Sequence, residues 1–164
     1  MKTLDTAAAL QKAYRLLSLR PHSEKEMVCK LKAKGFSGAV VQEALEKLRD
    51  LKYLHDASFA RQWARHLAVN KLWGNRKISA SLQEKGISKR LIDEAMAAAR
   101  LELPEDEAVR ILTAKKTSKR NTGPLETKEK HKIFSSLMGR GFPLGLILNS
   151  LGRQREDDVH DDDR

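Results

Sequence analysis

Three segments of this chain share one pattern: leucine, three residues, glycine, then a large apolar residue. They are Leu31–Phe36, Leu82–Ile87 and Leu137–Phe142, with the glycines Gly35, Gly86 and Gly141 spaced by 51 and 55 residues. Each reads as a helix that ends in a Schellman motif. The glycine takes the left-handed position that a Cβ disfavours, and the next residue folds back onto the leucine. The residues beyond each glycine repeat as well. Apolar side chains stand five and six positions on (Val40 and Val41, Leu91 and Ile92, Leu146 and Ile147) and again at ten (Leu45, Met96, Leu151). That spacing is the buried stripe of a second helix. A tandem array of helical units is predicted, and the function of an array is carried by its surface.

The reading along the chain gives three helices, three times, as helix-turn-helix-like three-helix bundles. Repeat 1 is residues 1–55, repeat 2 is 56–101, repeat 3 is 102–152, and residues 153–164 form a disordered acidic tail. In repeat 1, a helix over about Thr6 to Leu19 turns Leu10, Ala13, Leu16 and Leu17 inward. Pro21 ends that region. Ser23 and Glu26 form a capping-box pattern for a helix that buries Met27, Val28 and Leu31. The third helix follows Ser37. Repeat 2 opens with Asp56 as N-cap and an apolar face of Phe59, Ala60, Trp63, Ala64 and Leu67. Its middle helix starts near Gly74 or Asn75, and its last helix follows Ser88. Repeat 3 opens with Pro104 in the first helical position, ahead of Glu105, Asp106 and Glu107. A polar loop spans Ser118 to Glu126, and Pro143 begins the last helix. Units of about fifty residues are marginal alone, so each leans on its neighbours.

Charge narrows the function. The formal net charge is +10, but the last ten residues carry six acids and two arginines, leaving +14 on residues 1–154. The excess is +5 over residues 1–55, +5 over 56–100 and +4 over 101–154. A basic surplus in every unit suits a polyanion lying along the array. The acidic tail is placed to compete with phosphate for that surface. Cys29 is the one cysteine, so no internal disulfide is possible. There is no signal peptide and no long apolar run, so a cytoplasmic protein without membrane contact is expected.

Catalytic patterns are missing. His22, His55, His66, His131 and His160 show no metal-ligand spacing and read as surface histidines. No phosphate-binding glycine loop, dinucleotide fingerprint or nucleophile elbow is found, and no cofactor is expected. The candidate site is therefore the basic surface. Arg76 and Lys77 stand first, because the start of the middle helix of repeat 2 offers free N–H groups and a positive dipole end to an anion. Lys25 and Lys132 hold related positions in the other repeats. Lys32, Lys34, Lys85, Lys89, Arg90 and Arg140 flank the glycine turns, and Lys130 stands in the middle helix of repeat 3. With the helices in register these residues form one stripe. Trp73 stacks on a base, docks on a partner, or anchors a core.

Several segments resemble the RecX regulators of the bacterial RecA recombinase. They are Arg20–Glu26 with Leu31 through Gly35, Lys52–Asp56 with Phe59 and Ala60, Gly74–Ile78 with Leu82 and Lys85–Ile87, and Lys130–Ile133 with Arg140–Phe142. The resemblance runs over roughly residues 7–152. Two positions depart from it: Lys52 stands where the family often has glycine, and His55 where aspartate is usual. The resemblance implies an elongated, curved nine-helix array that lies in the groove of the RecA–DNA filament. It implies inhibition of filament growth, ATP hydrolysis, strand exchange and the co-protease action of the SOS response. The expected partners are that filament and single- and double-stranded DNA, bound without sequence preference by a monomer. The residues alone leave a second reading open, a helix-turn-helix DNA-binding protein that needs no recombinase.

Overall fold

The computed structural model describes residues 5–118 and 125–157, with side chains described as far as residue 152. Among these residues there are nine α-helices and no strand. The helices are α1 (Thr6–Leu19), α2 (Glu24–Lys32), α3 (Gly38–Asp50), α4 (Asp56–Arg65), α5 (Asn75–Glu84), α6 (Lys89–Glu102), α7 (Glu105–Thr117), α8 (Thr127–Gly139) and α9 (Leu144–Asp157). One π-helical turn, His66–Asn70, continues α4.

The helix stops are those the glycines predict. Gly35, Gly86 and Gly141 have φ of 91°, 77° and 84°. In each turn the residue after the glycine donates its N–H to the leucine carbonyl: Phe36 to Leu31 at 3.4 Å, Ile87 to Leu82 at 3.1 Å and Phe142 to Leu137 at 3.4 Å. Each glycine N–H bonds the carbonyl three residues back. These are the two bonds of the Schellman motif. The leucines and the residues that fold onto them are all buried.

Two further helix stops use a left-handed residue that is not glycine, and the first repeats the Schellman bonds. Lys52 has φ 58°, its N–H bonds Arg49 O, and Tyr53 N–H reaches back to Leu48 O at 2.8 Å. Leu72 has φ 52°, and Trp73 N–H reaches Leu67 O at 2.9 Å. A side chain in this left-handed region costs about 1–2 kcal/mol. Lys52 is the position where the resemblance expected glycine, and the backbone there keeps the glycine conformation.

Helix starts follow the caps in part. Asp5 accepts Ala8 N–H at 2.8 Å, Ser23 and Glu26 form the full capping box, and Ser37 accepts Val40 N–H. Asp56 is not the cap of α4. His55 is, its Nδ1 accepting Ser58 N–H at 3.1 Å, while Asp56 is the first helical residue. Pro104 likewise sits one place earlier than expected, in the N-cap position of α7. Helix α9 runs to Asp157, so its backbone enters the segment expected to be a disordered tail. The remainder of that tail and the central part of the expected loop, residues 119–124, lie outside the described residues.

The chain packs as two compact units. Unit 1 takes residues 1–63 and 81–95, and unit 2 takes 64–80 and 96–164. The helices of the expected middle repeat contribute to both. In unit 1, α1, α2 and α3 close on Ala9, Ala13, Met27, Leu31, Val41 and Leu45. The inner residues of α1 are alanines, which let helices approach closely, and Leu10, Leu16 and Leu17 are only half-buried at the edge. In unit 2, α7, α8 and α9 close on Val109, Leu112, Ile133, Leu137, Phe142 and Ile147.

Candidate nucleic-acid interface

Each unit contains the start of a middle helix and the glycine turn of the following repeat, and the two are locked together. In unit 1, Ser23 Oγ donates to Lys85 O at 2.7 Å, one residue before Gly86. A methyl group on Gly86 would lie 2.6 Å from Lys25 Cδ, so the turn presses on α2 where only hydrogen fits. In unit 2 the same lock recurs. Gly74 N–H donates to Arg140 O at 2.8 Å, one residue before Gly141. A methyl group on Gly141 would lie 2.6 Å from Lys77 Cβ and N.

An acidic residue completes each lock. Asp56, at the start of α4, accepts Glu24 N–H at 2.9 Å at the first residue of α2. Glu105, at the start of α7, accepts Asn75 N–H at 2.7 Å and the Asn75 side-chain amide at 2.8 Å. The positive end of each middle helix is thus already neutralised by a carboxylate from the next repeat. This corrects the expectation that the start of α5 is free to hold an anion.

Two arginines, fourteen residues after Gly35 and Gly86, support these places. Arg49 grips Glu24 with two bonds of 2.9 Å. Arg100 donates to Asn75 Oδ1 at 2.7 Å and to Trp73 O at 2.8 Å, and burial lowers its pKa from the usual arginine value. Neither arginine is a candidate from sequence. Their shared register with the glycines is the available signal.

Glu26 is the polar centre of the unit 1 lock. It bonds Arg20 at 3.0 Å, Lys85 at 2.6 Å and Ser23 N–H at 3.2 Å. Burial opposes its ionisation, but the bonds from Arg20, Lys85 and Ser23 prevail and bring its carboxyl down to about 2. Lys85 also stands 4.6 Å over Trp63, which stacks on Phe59 and donates to Ser81 Oγ.

These contacts sort the candidate residues. Lys85 is a half-buried partner of Glu26 and Trp63, not a surface cation. Lys77 is half-buried, donates to Gly139 O at 3.0 Å and stands 4.3 Å over Trp73. Lys77, expected on the basic surface, is thus partly drawn into the fold. Trp73 is half-buried with its ring under Lys77, and it ends the π turn. Arg140 bonds Lys71 O at 2.5 Å. Arg76 is exposed at the same lock with no ion pair among the described residues.

In unit 1, Lys25 lies against the turn that leads into α6, which begins with Lys89 and Arg90. Those two are exposed and pair along the helix with Asp93 and Glu94. Such exposed pairs are worth little and exchange readily for phosphate. Each lock therefore gathers basic residues from two repeats: Lys25, Lys89 and Arg90 in one unit, Arg76, Lys77 and Arg140 in the other. Lys32 and Lys34 are exposed at the far end of α2. In repeat 3, α8 begins a turn earlier than its counterparts. Lys130 and Lys132 therefore stand inside the helix and not at its start.

His22 is also corrected. It is buried, with Nδ1 2.9 Å from Arg20 O, and desolvation lowers its pKa. Among the described residues no group of three His, Cys, Asp or Glu side chains could hold a metal ion, and no helix is long and apolar enough to cross a membrane.

Known proteins resemble this chain in sequence and fold. The family model described as the first three-helix domain of RecX matches residues 9–48, and that of the second three-helix domain matches 56–96. The "Regulatory protein RecX" of Prosthecochloris aestuarii is 34% identical over 152 residues, covering 92% of this chain and 96% of its own. That of Chlorobaculum tepidum is 33% identical, covering 88% and 87%. The crystal structure of RecX from Lactobacillus salivarius superposes with a TM-score of 0.72 at 22% identity over 93% of this chain and 97% of that one, a likeness of fold. The two model matches fall inside the first two repeats read from the glycines, and the relatives match nearly end to end. This chain belongs to the RecX family of regulatory proteins.

Proposed function

We propose that this protein regulates a RecA-type recombinase by binding the recombinase–DNA filament, and that it damps filament growth, ATP hydrolysis, strand exchange and co-protease action. It does so by binding and not by chemistry. The observation that carries the reading is the recurrent lock. In each unit it holds cations from successive repeats around one glycine turn. A binder of a filament needs this kind of surface, with modest contacts renewed along its length.

The family's regulatory name supports a regulator over an independent transcription factor. The locks also occupy the starts of α2 and α5 with Asp56 and Glu105, so neither helix offers a bare end to a DNA groove. Contact with DNA then runs through exposed side chains such as Arg76, Lys25, Lys89, Arg90 and Lys132.

Fluorescence anisotropy on labelled single-stranded DNA, bare and coated with a RecA-type recombinase, tests the reading. The protein is expected to bind the coated strand more tightly than the bare one, in the presence of an ATP analogue that holds the filament. Equal affinity for both would make it a DNA-binding protein only.

A further inference from the structure

Unit 1 contains a cavity of about 300 Å³ that neither lock uses. Its apolar wall is Leu17, Pro21 and Phe59, and its rim includes Lys52, Tyr53 and His55, with His22 at its base. We propose that this cavity holds one nucleotide of single-stranded nucleic acid, with the base between the two histidines and Tyr53 and the phosphate at Lys52. This rests on the nucleic-acid part of the function proposed above.

Four features of the cavity favour that occupant. The first is an unpaired polar atom. His22 is only 4% exposed, and its Nδ1 faces Arg20 O at 2.9 Å. A carbonyl only accepts, so Nδ1 carries the proton and Nε2 is an acceptor, with no partner among the described residues. A buried acceptor left unsatisfied is costly, and a ligand that donates to it is favoured.

His55 supplies the second. Its Nδ1 accepts Ser58 N–H at 3.1 Å, so the proton of the neutral ring is on Nε2, which is a donor. The cavity therefore offers one ring acceptor and one ring donor. Every nucleobase carries donors and acceptors side by side on its edge. A phenylalanine or leucine side chain from a protein partner would leave both rings unsatisfied.

The third is a stacking surface. Tyr53 is 56% exposed and held edge-on by Tyr14 at 5.2 Å between ring centres. An exposed, oriented aromatic ring beside an apolar wall is the platform on which single-stranded bases stack.

Lys52 is the fourth. It is exposed and lines the cavity, so it brings a positive charge to the rim where a phosphate would lie. The volume lies at the small end of ligand sites, about 300–1,000 Å³, which suits one base with its sugar.

Two variants separate this from a structural role. Lys52→Gly relieves the backbone strain, so its melting temperature should rise by about 2–3 °C. Its affinity for a thymidine oligonucleotide of about a dozen residues should nevertheless fall about threefold, and its salt slope by about 0.7. His55→Asn keeps an acceptor for Ser58 N–H, because asparagine is a good N-cap, but removes the ring donor. It should weaken binding to the thymidine oligonucleotide and not to the same backbone made of abasic residues.

The intact protein should bind the abasic strand about tenfold or more weakly than the thymidine strand, the loss expected when stacking is removed. Thymidine 5′-monophosphate should shift the ring signals of His22 and His55 in NMR spectra. Equal binding of thymidine and abasic strands would overturn the proposal and leave the nucleic-acid reading standing. Binding of neither strand would overturn both. If the histidine signals respond to an acetylated Phe-Glu dipeptide amide and not to the nucleotide, the cavity belongs to a protein segment and the proposal fails.

Discussion

Replacing Gly74 with alanine tests the lock where it is tightest. The added methyl would overlap the Gly141 carbonyl and lie 2.5 Å from Phe142 N. Contact distance is about 3.5 Å, so the α5 start and the Gly141 turn would have to separate by about 1 Å. All the nearest atoms are backbone, so no side chain can rotate away. Overpacking of this kind costs about 1–3 kcal/mol. Separation also stretches the bond from buried Gly74 N–H to Arg140 O, which adds about 1–3 kcal/mol, and alanine is a poorer N-cap than glycine. The total is about 4 kcal/mol. A chain of this size loses about 2–4 °C per kcal/mol, so the melting temperature should fall by roughly 8–16 °C. Gly145→Ala is the control. Gly145 stands inside α9 with nothing within 4 Å of a new methyl, and alanine there should stabilise by about 0.5–1 kcal/mol. Thermal unfolding followed by circular dichroism reads both. A Gly74→Ala protein that melts within 2 °C of its parent would refute the lock.

Acid should loosen unit 1 through Glu26. Its carboxyl is brought from an ordinary 4.5 down to about 2, so its contribution is present above pH 4.5 and is lost as pH falls toward 2. Discounted for the exposure of Arg20, it is about 2 kcal/mol, so the stability gap between the parent and Glu26→Gln in denaturant titrations should be about that at pH 7 and close near pH 2. A gap that does not change with pH would show the ion pairs to be incidental. Arg76→Glu should leave stability within about 0.5 kcal/mol, because Arg76 is exposed and unpaired. It should also weaken binding to single-stranded DNA and reduce the slope of log K against log salt by about 0.7 for the lost phosphate contact. Unchanged affinity and slope would remove Arg76 from the interface.

The helices are legible in the sequence because their signals are local. A Schellman turn is written in six residues, and Leu31–Phe36, Leu82–Ile87 and Leu137–Phe142 each carry it whole. The stop at Lys52 has the same hydrogen bonds and the one at Leu72 shares the left-handed residue, but both are hidden, because only glycine advertises a left-handed backbone. The locks are not legible. Ser23 and Lys85 are 62 residues apart, as are Lys77 and Gly139, and nothing near either residue announces the other. Asp56 and Glu105 look like the acidic start of their own helices, yet their carboxylates serve the helix of the preceding repeat. Composition shows the basic surplus but not which cations are used inside the fold. Lys85 and Lys77 are, because Lys85 meets Glu26 and Trp63, and Lys77 meets the Gly139 carbonyl, groups that arrive from elsewhere in the chain. His22 reads as a surface group because a lone histidine after proline shows no partner in sequence.

The claim that this chain acts as a recombinase regulator is tested most directly by ATP hydrolysis. A RecA-type recombinase is assembled on single-stranded DNA, and its steady-state rate is followed as the intact protein is added up to stoichiometric amounts. The rate should fall with added protein, and Arg76→Glu should need a higher concentration for the same effect. A rate that stays constant through stoichiometric addition would contradict the account.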